Sequence, residues 1–317
     1  MENVTPDEKA PVPAKSRGLW HKIVQQRYLL LMSMPFVAWA FVFSYLPLWG
    51  WTMAFQNYRP ARGFFEQEWV GFEHFKSLFE DPTFYLVMRN TLAMSFMGLI
   101  AGFTVPILFA IIVNEVRHMA LKRFVQTVSY LPHFVSWVVV AGIVTKMLSS
   151  EGAVNDLLLS LNLIDQPIQF MAQGSWFWYI VTASDIWKEM GWNAIIYLAA
   201  MAGIGPELYE AARVDGASRV RQAWHITLPG IRTTIIILLI MSIGHLISIG
   251  FEKQFLLGNP LVSDYSQVLD LYALNYGLGM GRFSFGTAIN MLNSAVSIVL
   301  LLLANGMFKR MSKESIF

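Results

Sequence analysis

The 317 residues contain no cysteine. That excludes disulfides, thiolate metal sites and thiol catalysis, and leaves the redox compartment undetermined. Charge is scarce as well: Asp, Glu, Lys and Arg make up 14% of the chain, where a soluble domain carries about a quarter. The formal net charge of +2 is too small for a nucleic-acid footprint, so nucleic acid is not an expected partner. No Gly-rich phosphate loop precedes a Lys-Ser or Lys-Thr, so the chain holds no ATP by that route. No paired catalytic side chains stand at recognisable spacing. His133 and His245 lack companions at metal-ligand spacing and read as helix-packing residues, so no metal site is expected. Residues 1–27 hold Lys9, Lys15, Arg17, Lys22 and Arg27 but lack the small-residue cleavage site of a signal peptide.

What the chain has in abundance is apolar surface, with 55% hydrophobic residues. Stretches long enough to cross a bilayer, about 20 residues of helix, lie near Tyr28–Trp51, Leu92–Val113, Val128–Thr145, Trp176–Met201, Thr233–Phe251 and Phe285–Met307. Backbone groups in hydrocarbon must pair within their own segment, so these are helices rather than strands. The expected fold is therefore an all-α integral membrane protein with six transmembrane helices. Pro35, Pro47, Pro106 and Pro132 lie inside or near the ends of these spans and are expected to kink them. The chain thus divides into three parts: a 1–27 segment with a short amphipathic helix over Leu19–Arg27, a membrane domain over 28–308, and a tail over 309–317.

Lys and Arg orient the bundle. With the N-terminus inside, the inner side receives Lys9, Lys15, Arg17, Lys22, Arg27, the Arg117–Arg123 cluster, Arg213, Arg219, Arg221, Arg232 and the C-terminal Lys309, Arg310 and Lys313. The outer side receives only Arg59, Arg62, Lys76, Arg89, Lys253 and Arg282. By the positive-inside rule both termini are cytoplasmic, and so is the loop between the fourth and fifth spans.

That loop, 204–230, holds the most informative motif. Gly205-Pro206 opens a short helix, with Pro at its first position and Glu207 in its first turn. Ala211 and Ala212 leave one side bare for the close approach of another backbone, and Glu210 is available to an Arg on that partner. Gly216 supplies a helix end, Asp215 or Ser218 caps the next helical stretch, and Ala217–Thr227 forms that second short helix. Leu228-Pro229 redirects the chain into the fifth span. The order Glu207, Glu210-Ala211-Ala212, Asp215-Gly216-Ala217, Ile226, Leu228-Pro229 is similar to the coupling signature of permease subunits in ATP-binding-cassette importers.

Other segments carry the same resemblance. Trp69-Val70-Gly71-Phe72-Glu73-His74-Phe75 and Asn90-Thr91-Leu92 look like the approach to the second span in binding-protein-dependent carbohydrate permeases of the maltose type. Phe255-Leu256-Leu257-Gly258-Asn259-Pro260, Asp270-x-Tyr272 and Asn305 resemble a subgroup that carries oligosaccharides released from polysaccharides such as alginate or pectin. The tail Lys309–Phe317 resembles the first permease of such pairs. The resemblance implies type I importer architecture in a bacterial plasma membrane, and a heteromeric complex. Its other members would be a second permease, two copies of a cytoplasmic ATPase, and an external solute-binding protein. It implies no enzyme activity in this chain and no cofactor of its own, ATP and Mg being held by the ATPase subunits.

The substrate path is sought among polar groups at membrane depth. Asp185, Lys188, Glu189 and Trp192 fall at i, i+3, i+4 and i+7 of the fourth span and share a face, bordered by Asn193. Each charge at the bilayer centre costs about 3 kcal/mol on translocon scales, so three together should face a cavity or each other. Lys188 bridging Asp185 and Glu189 is the structural alternative, and it is compatible with lining a path. On the path reading Lys188 meets an acidic oligosaccharide as a counter-charge. Trp20, Trp49, Trp51 and Trp176 sit at span ends as interfacial anchors. Trp187, Trp192, Tyr197 and Trp137 lie deeper, where sugar C–H faces can stack on them. A permease for another solute class, a channel, and a membrane enzyme built on Asp185, Lys188 and Glu189 remain the alternatives.

Overall fold

The computed structural model describes residues 24–312, so most of the Leu19–Arg27 helix and residues 313–317 of the tail lie outside the described residues. The chain divides after Thr52 into two compact units. The first holds α1 (Arg27–Ala40), whose apolar side chains are exposed along its length. Pro35 is accommodated inside this helix. Pro47 cannot donate to the carbonyl four residues back, and the helix passes through a wide turn at Phe41–Tyr45 into a tighter run, Leu46–Phe55.

In the second unit, the strands β1 (Gln56–Asn57) and β2 (Glu68–Trp69) pair antiparallel, the one sheet among the described residues. The helices α2 (Glu73–Glu80) and α3 (Pro82–Glu115) come next. At 34 residues, α3 is about 51 Å long, well over the 30 Å of a hydrocarbon core. Asp81 starts it, accepting from Thr83 N at 2.8 Å, with Pro82 at the first position. Burial disfavours charge on Asp81, but hydrogen bonds from Tyr272 and Thr83, aided by Arg282, outweigh it and hold the carboxyl below its ordinary range.

The expected third span is not one straight helix. α4 (Met119–Tyr130) and the tight turn Leu131–Phe134 are bent by 103° from α5 (Trp137–Met147). Pro132 removes a ladder donor, Val135 is extended, and Ser136 begins a new helix by accepting from Val139 N at 3.5 Å. The segment expected to lie outside forms α6 (Ala153–Ser160), and the expected fourth span forms α7 (Gly174–Ala202). Counted by length and apolar composition, three described helices can cross a membrane, or five if each bent pair is one span. α7 fails that count because it carries Asp185, Lys188 and Glu189.

Gly191 is where α7 meets α4. An added Cβ would collide with the Ser129 carbonyl, a backbone atom that cannot swing away. Gly191→Ala is therefore expected to cost about 1–3 kcal/mol by overpacking and to lower the melting temperature of the purified complex. Wild-type melting would show that the two helices separate freely.

The fifth span is shorter than expected. α10 (Arg232–Gly244) ends seven residues before Phe251, and 245–250 is irregular. The next stretch, expected to lie outside, packs back into the bundle as α11 (Glu252–Leu257), Ser263–Ser266 and α12 (Leu269–Leu274). Leu269, Tyr272 and Ala273 join Leu78, Phe84, Val87 and Phe285 in one core cluster. The backbone of this stretch is satisfied by side chains of the long helices, as buried irregular chain requires. Asn90 Nδ2 donates to the carbonyls of Asp264 and Gln267, both at 2.9 Å, and Thr91 Oγ1 accepts from Leu269 N at 2.9 Å. Trp178 Nε1 donates to Tyr265 O at 3.0 Å. The last helix, α13 (Phe283–Ser312), packs along α10 and α12.

Between α7 and α10 the expected short helices are present. α8 (Pro206–Val214) begins after Gly205 with Pro at its first position. It ends at Gly216, whose φ of +74° lies in the left-handed region, where the Ala217 N donates to Ala212 O at 2.8 Å. Ser218 caps α9 (Arg219–Gln222), accepting from Arg221 N at 3.4 Å. A wide turn at Ala223–Thr227 then leads through Leu228–Gly230 into α10, bent by 62°.

Candidate functional site

α3, α7, α10 and the 245–254 stretch enclose a cavity of about 470 Å³. Small residues of α3, Ser95, Gly98 and Gly102, keep one wall thin, while α7 contributes Thr182, Asp185, Asn193 and Tyr197. Of the α7 residues singled out in the sequence, the structure thus brings Asp185, Asn193 and Tyr197 together around one space. The 245–254 stretch carries His245, Lys253 and Gln254.

Asp185 is not bridged by Lys188. Lys253 Nζ donates to Asp185 Oδ1 at 2.8 Å across 68 residues of sequence. Lys253, expected at the outer rim, is therefore a cavity residue, placed there because α11 turns back into the bundle. Its ammonium also lies 5.7 Å from the Trp137 ring centroid, a cation–π distance. Gln254 stands beside it in the chain, 1% exposed, with both Nε2 and Oε1 lacking a partner.

Lys188, Glu189 and Trp192 face a different neighbour. Lys188 is buried; its Nζ donates to His133 O at 2.7 Å and to Glu189 Oε1 at 3.0 Å. Glu189 Oε2 meets His133 Nδ1 at 2.7 Å, and the His133 ring stacks on Trp192, centroids 4.3 Å apart. This cluster clamps the turn Leu131–Phe134, at the break of the third span, onto α7. Trp187 is half-exposed and does not line the cavity. Among the described residues, no group of His, Asp and Glu is arranged to hold a metal.

The second locus is the α8 loop. Glu207, Glu210, Ala211, Asp215, Gly216 and Pro229 are exposed, whereas Ala212, Ala217, Ile226 and Leu228 are half-buried. The acids thus face outward and the apolar residues seat the loop. Tyr209 Oη and Thr227 Oγ1, 3.0 Å apart, hold α8 to the approach to α10. Arg219 Nη1 donates to Glu115 O at 3.3 Å and sits 3.7 Å from Glu115 Oε2, tying α9 to the end of α3. The loop is thereby tied to α3 and α10, two helices that also wall the cavity. Sequence reasoning missed Leu208, Val214, Val220 and Trp224, all exposed here, with Val214 at 88%. Their signal was apolar residues on short, otherwise polar helices.

Comparison with known proteins agrees over most of the chain. Residues 94–313 match the family described as binding-protein-dependent transport system inner membrane component. The polygalacturonan/rhamnogalacturonan transport system permease protein YteP of Bacillus subtilis (strain 168) is 42% identical over 304 residues, 96% of this chain and 94% of the relative. The arabinooligosaccharides transport system permease protein AraP of the same organism is 30% identical over 94% of this chain and 96% of its own. Among solved structures, a chain of a bacterial ABC transporter involved in the import of the acidic polysaccharide alginate superposes with a TM-score of 0.85. It is 40% identical over 93% of this chain and 99% of that one. A crystal structure of a bacterial alginate transporter in complex with an alginate pentasaccharide-bound periplasmic protein gives a TM-score of 0.86 at 39% identity, covering 94% and 99%.

Proposed function

The chain belongs to the family of binding-protein-dependent transport system inner membrane components, and on that premise we propose that it is one permease of an ATP-driven importer for acidic oligosaccharides. The observation that carries this is the combination of a polar cavity within the helical bundle with an acidic, apolar-tipped helix on a mechanically connected loop. The substrate class is supported by relatives whose names refer to polygalacturonan and alginate, both polymers of uronic acids.

In this reading the membrane is crossed six times, α7 supplying the span that composition alone does not count. Three charges are tolerated in α7 because each has a partner: Asp185 with Lys253, and Lys188 with Glu189. Both termini and the α8 loop face the cytoplasm of a bacterial cell. Glu207, Glu210 and Asp215 meet basic residues of an ATPase, and Leu208 and Val214 fill its cleft. That partner binds ATP and Mg; this chain contributes the transmission of its closure. A second permease completes the pathway, two ATPase copies drive it, and a periplasmic solute-binding protein delivers the sugar. The supporting likeness is the alginate transporter solved with its periplasmic protein.

The orientation is tested with single cysteines, for which the native chain offers no background. Cysteine at exposed Ser218 is expected to react with an impermeant maleimide only from the cytoplasmic side, and at exposed Ser160 only from outside. External labelling at Ser218 would overturn both the topology and the coupling role. The function itself is tested by uptake of oligogalacturonate or oligoalginate into vesicles holding the whole complex. Uptake without ATP would sink the importer in favour of a channel.

A further inference from the structure

The cavity contains more hydrogen-bond donors than its own residues use. Lys253 Nζ carries three N–H groups and spends one on Asp185 Oδ1 at 2.8 Å. Gln254 Nε2 carries two more and has no partner, and Gln254 Oε1 accepts from nothing. Both residues line the cavity, and Gln254 is buried to 1% exposure. A buried amide left unpaired carries a desolvation penalty that a ligand supplying its hydrogen bonds relieves.

Resting on the acidic-oligosaccharide reading, we propose that Lys253 and Gln254 form a carboxylate subsite in this cavity, with Asp185 as the residue that positions Lys253. The chemistry comes from the ammonium: among the described residues Lys253 is the one Lys or Arg that lines the cavity, it keeps two N–H groups after Asp185 is satisfied, and a carboxylate can accept from both. The sugar hydroxyl next to it can donate to Gln254 Oε1. Asp185 Oδ1 holds the ammonium at 2.8 Å, and the Trp137 ring centroid lies 5.7 Å from it. The ion pair need not break, because two of the ammonium N–H groups remain after Asp185 is satisfied.

The test uses the whole importer with its binding protein in proteoliposomes, and two probes of equal length: oligogalacturonate and its methyl ester, which lacks the charge. Lys253→Met is expected to lower acid uptake by roughly tenfold or more, the cost of a lost charged hydrogen bond, while ester uptake changes little. Gln254→Leu is expected to weaken both probes, and Lys253→Arg to restore the preference for acid. Because Lys253→Met leaves Asp185 unpaired, the double variant Asp185→Asn/Lys253→Met serves as the folding control and is expected to melt like wild type yet keep the selective loss. An unchanged acid-to-ester ratio in Lys253→Met, with wild-type acid uptake intact, overturns the subsite alone. A wild type that carries neither probe, or only the ester, overturns the acidic-oligosaccharide reading and the subsite with it.

Discussion

Glu210→Lys is expected to insert, fold and reach the membrane at normal levels and to import nothing. Glu210 is exposed on α8 and has no hydrogen bond or ion pair among the described residues, so its replacement is expected to leave the bundle intact. On the proposed coupling role, what changes is the charge offered to the ATPase cleft, where like charges would meet; buried or semi-buried pairs that lose complementarity cost several kcal/mol at an interface. Gly216 makes a companion test of a different physical kind. There is room for a side chain, since nothing lies near an added Cβ, but the φ of +74° penalises any residue with one. That penalty is about 1 kcal/mol or more, enough to loosen the turn that sets the pitch of α8 and α9. Uptake and binding-protein-stimulated ATP hydrolysis are the measurements, made beside a melting curve. A Glu210→Lys importer working at wild-type rate would remove α8 from the coupling path.

The second large effect is structural. Lys188→Met is expected to lower the stability of the complex by about 3 kcal/mol or more, as removal of one partner from a buried pair does. It would also diminish uptake of every substrate alike. The reason is its surroundings: the ammonium satisfies the His133 carbonyl and Glu189 together, at the point where the third span breaks. With Lys188 gone, Glu189 keeps only His133, and the turn over Leu131–Phe134 loses its clamp on α7. Adding Glu189→Gln removes the stranded charge and is expected to recover much of the lost melting temperature. Normal melting of Lys188→Met with selective loss of acidic substrates would instead place Lys188 on the substrate path, contrary to its enclosure here.

Much of this molecule is determined by local chemistry and is therefore legible in the sequence. The apolar runs dictate helices because hydrocarbon gives unpaired backbone nowhere to bond. α8 is bounded by Gly205-Pro206 and Gly216, residues whose backbone preferences act within one turn, so its ends can be read from the chain alone. The position of Asp185 on one helix could be read the same way. Its partner could not. A helical period states which residues share a face and is silent about what lies opposite that face. Lys253 reaches Asp185 across 68 residues because α10 stops at Gly244 and α11 folds inward, and that return depends on Asn90, Thr91 and Trp178 satisfying a backbone far from them in sequence. The 103° break at Val135–Ser136 is of the same kind: Pro132 permits a kink, but the Lys188–Glu189–His133 cluster holds its angle. Helical runs and the bounds of the acidic helix α8 are consequences of the sequence by itself. Which charges pair, which residues line the cavity and which donors remain free in it are decided by tertiary packing, because each depends on the surface that another segment presents.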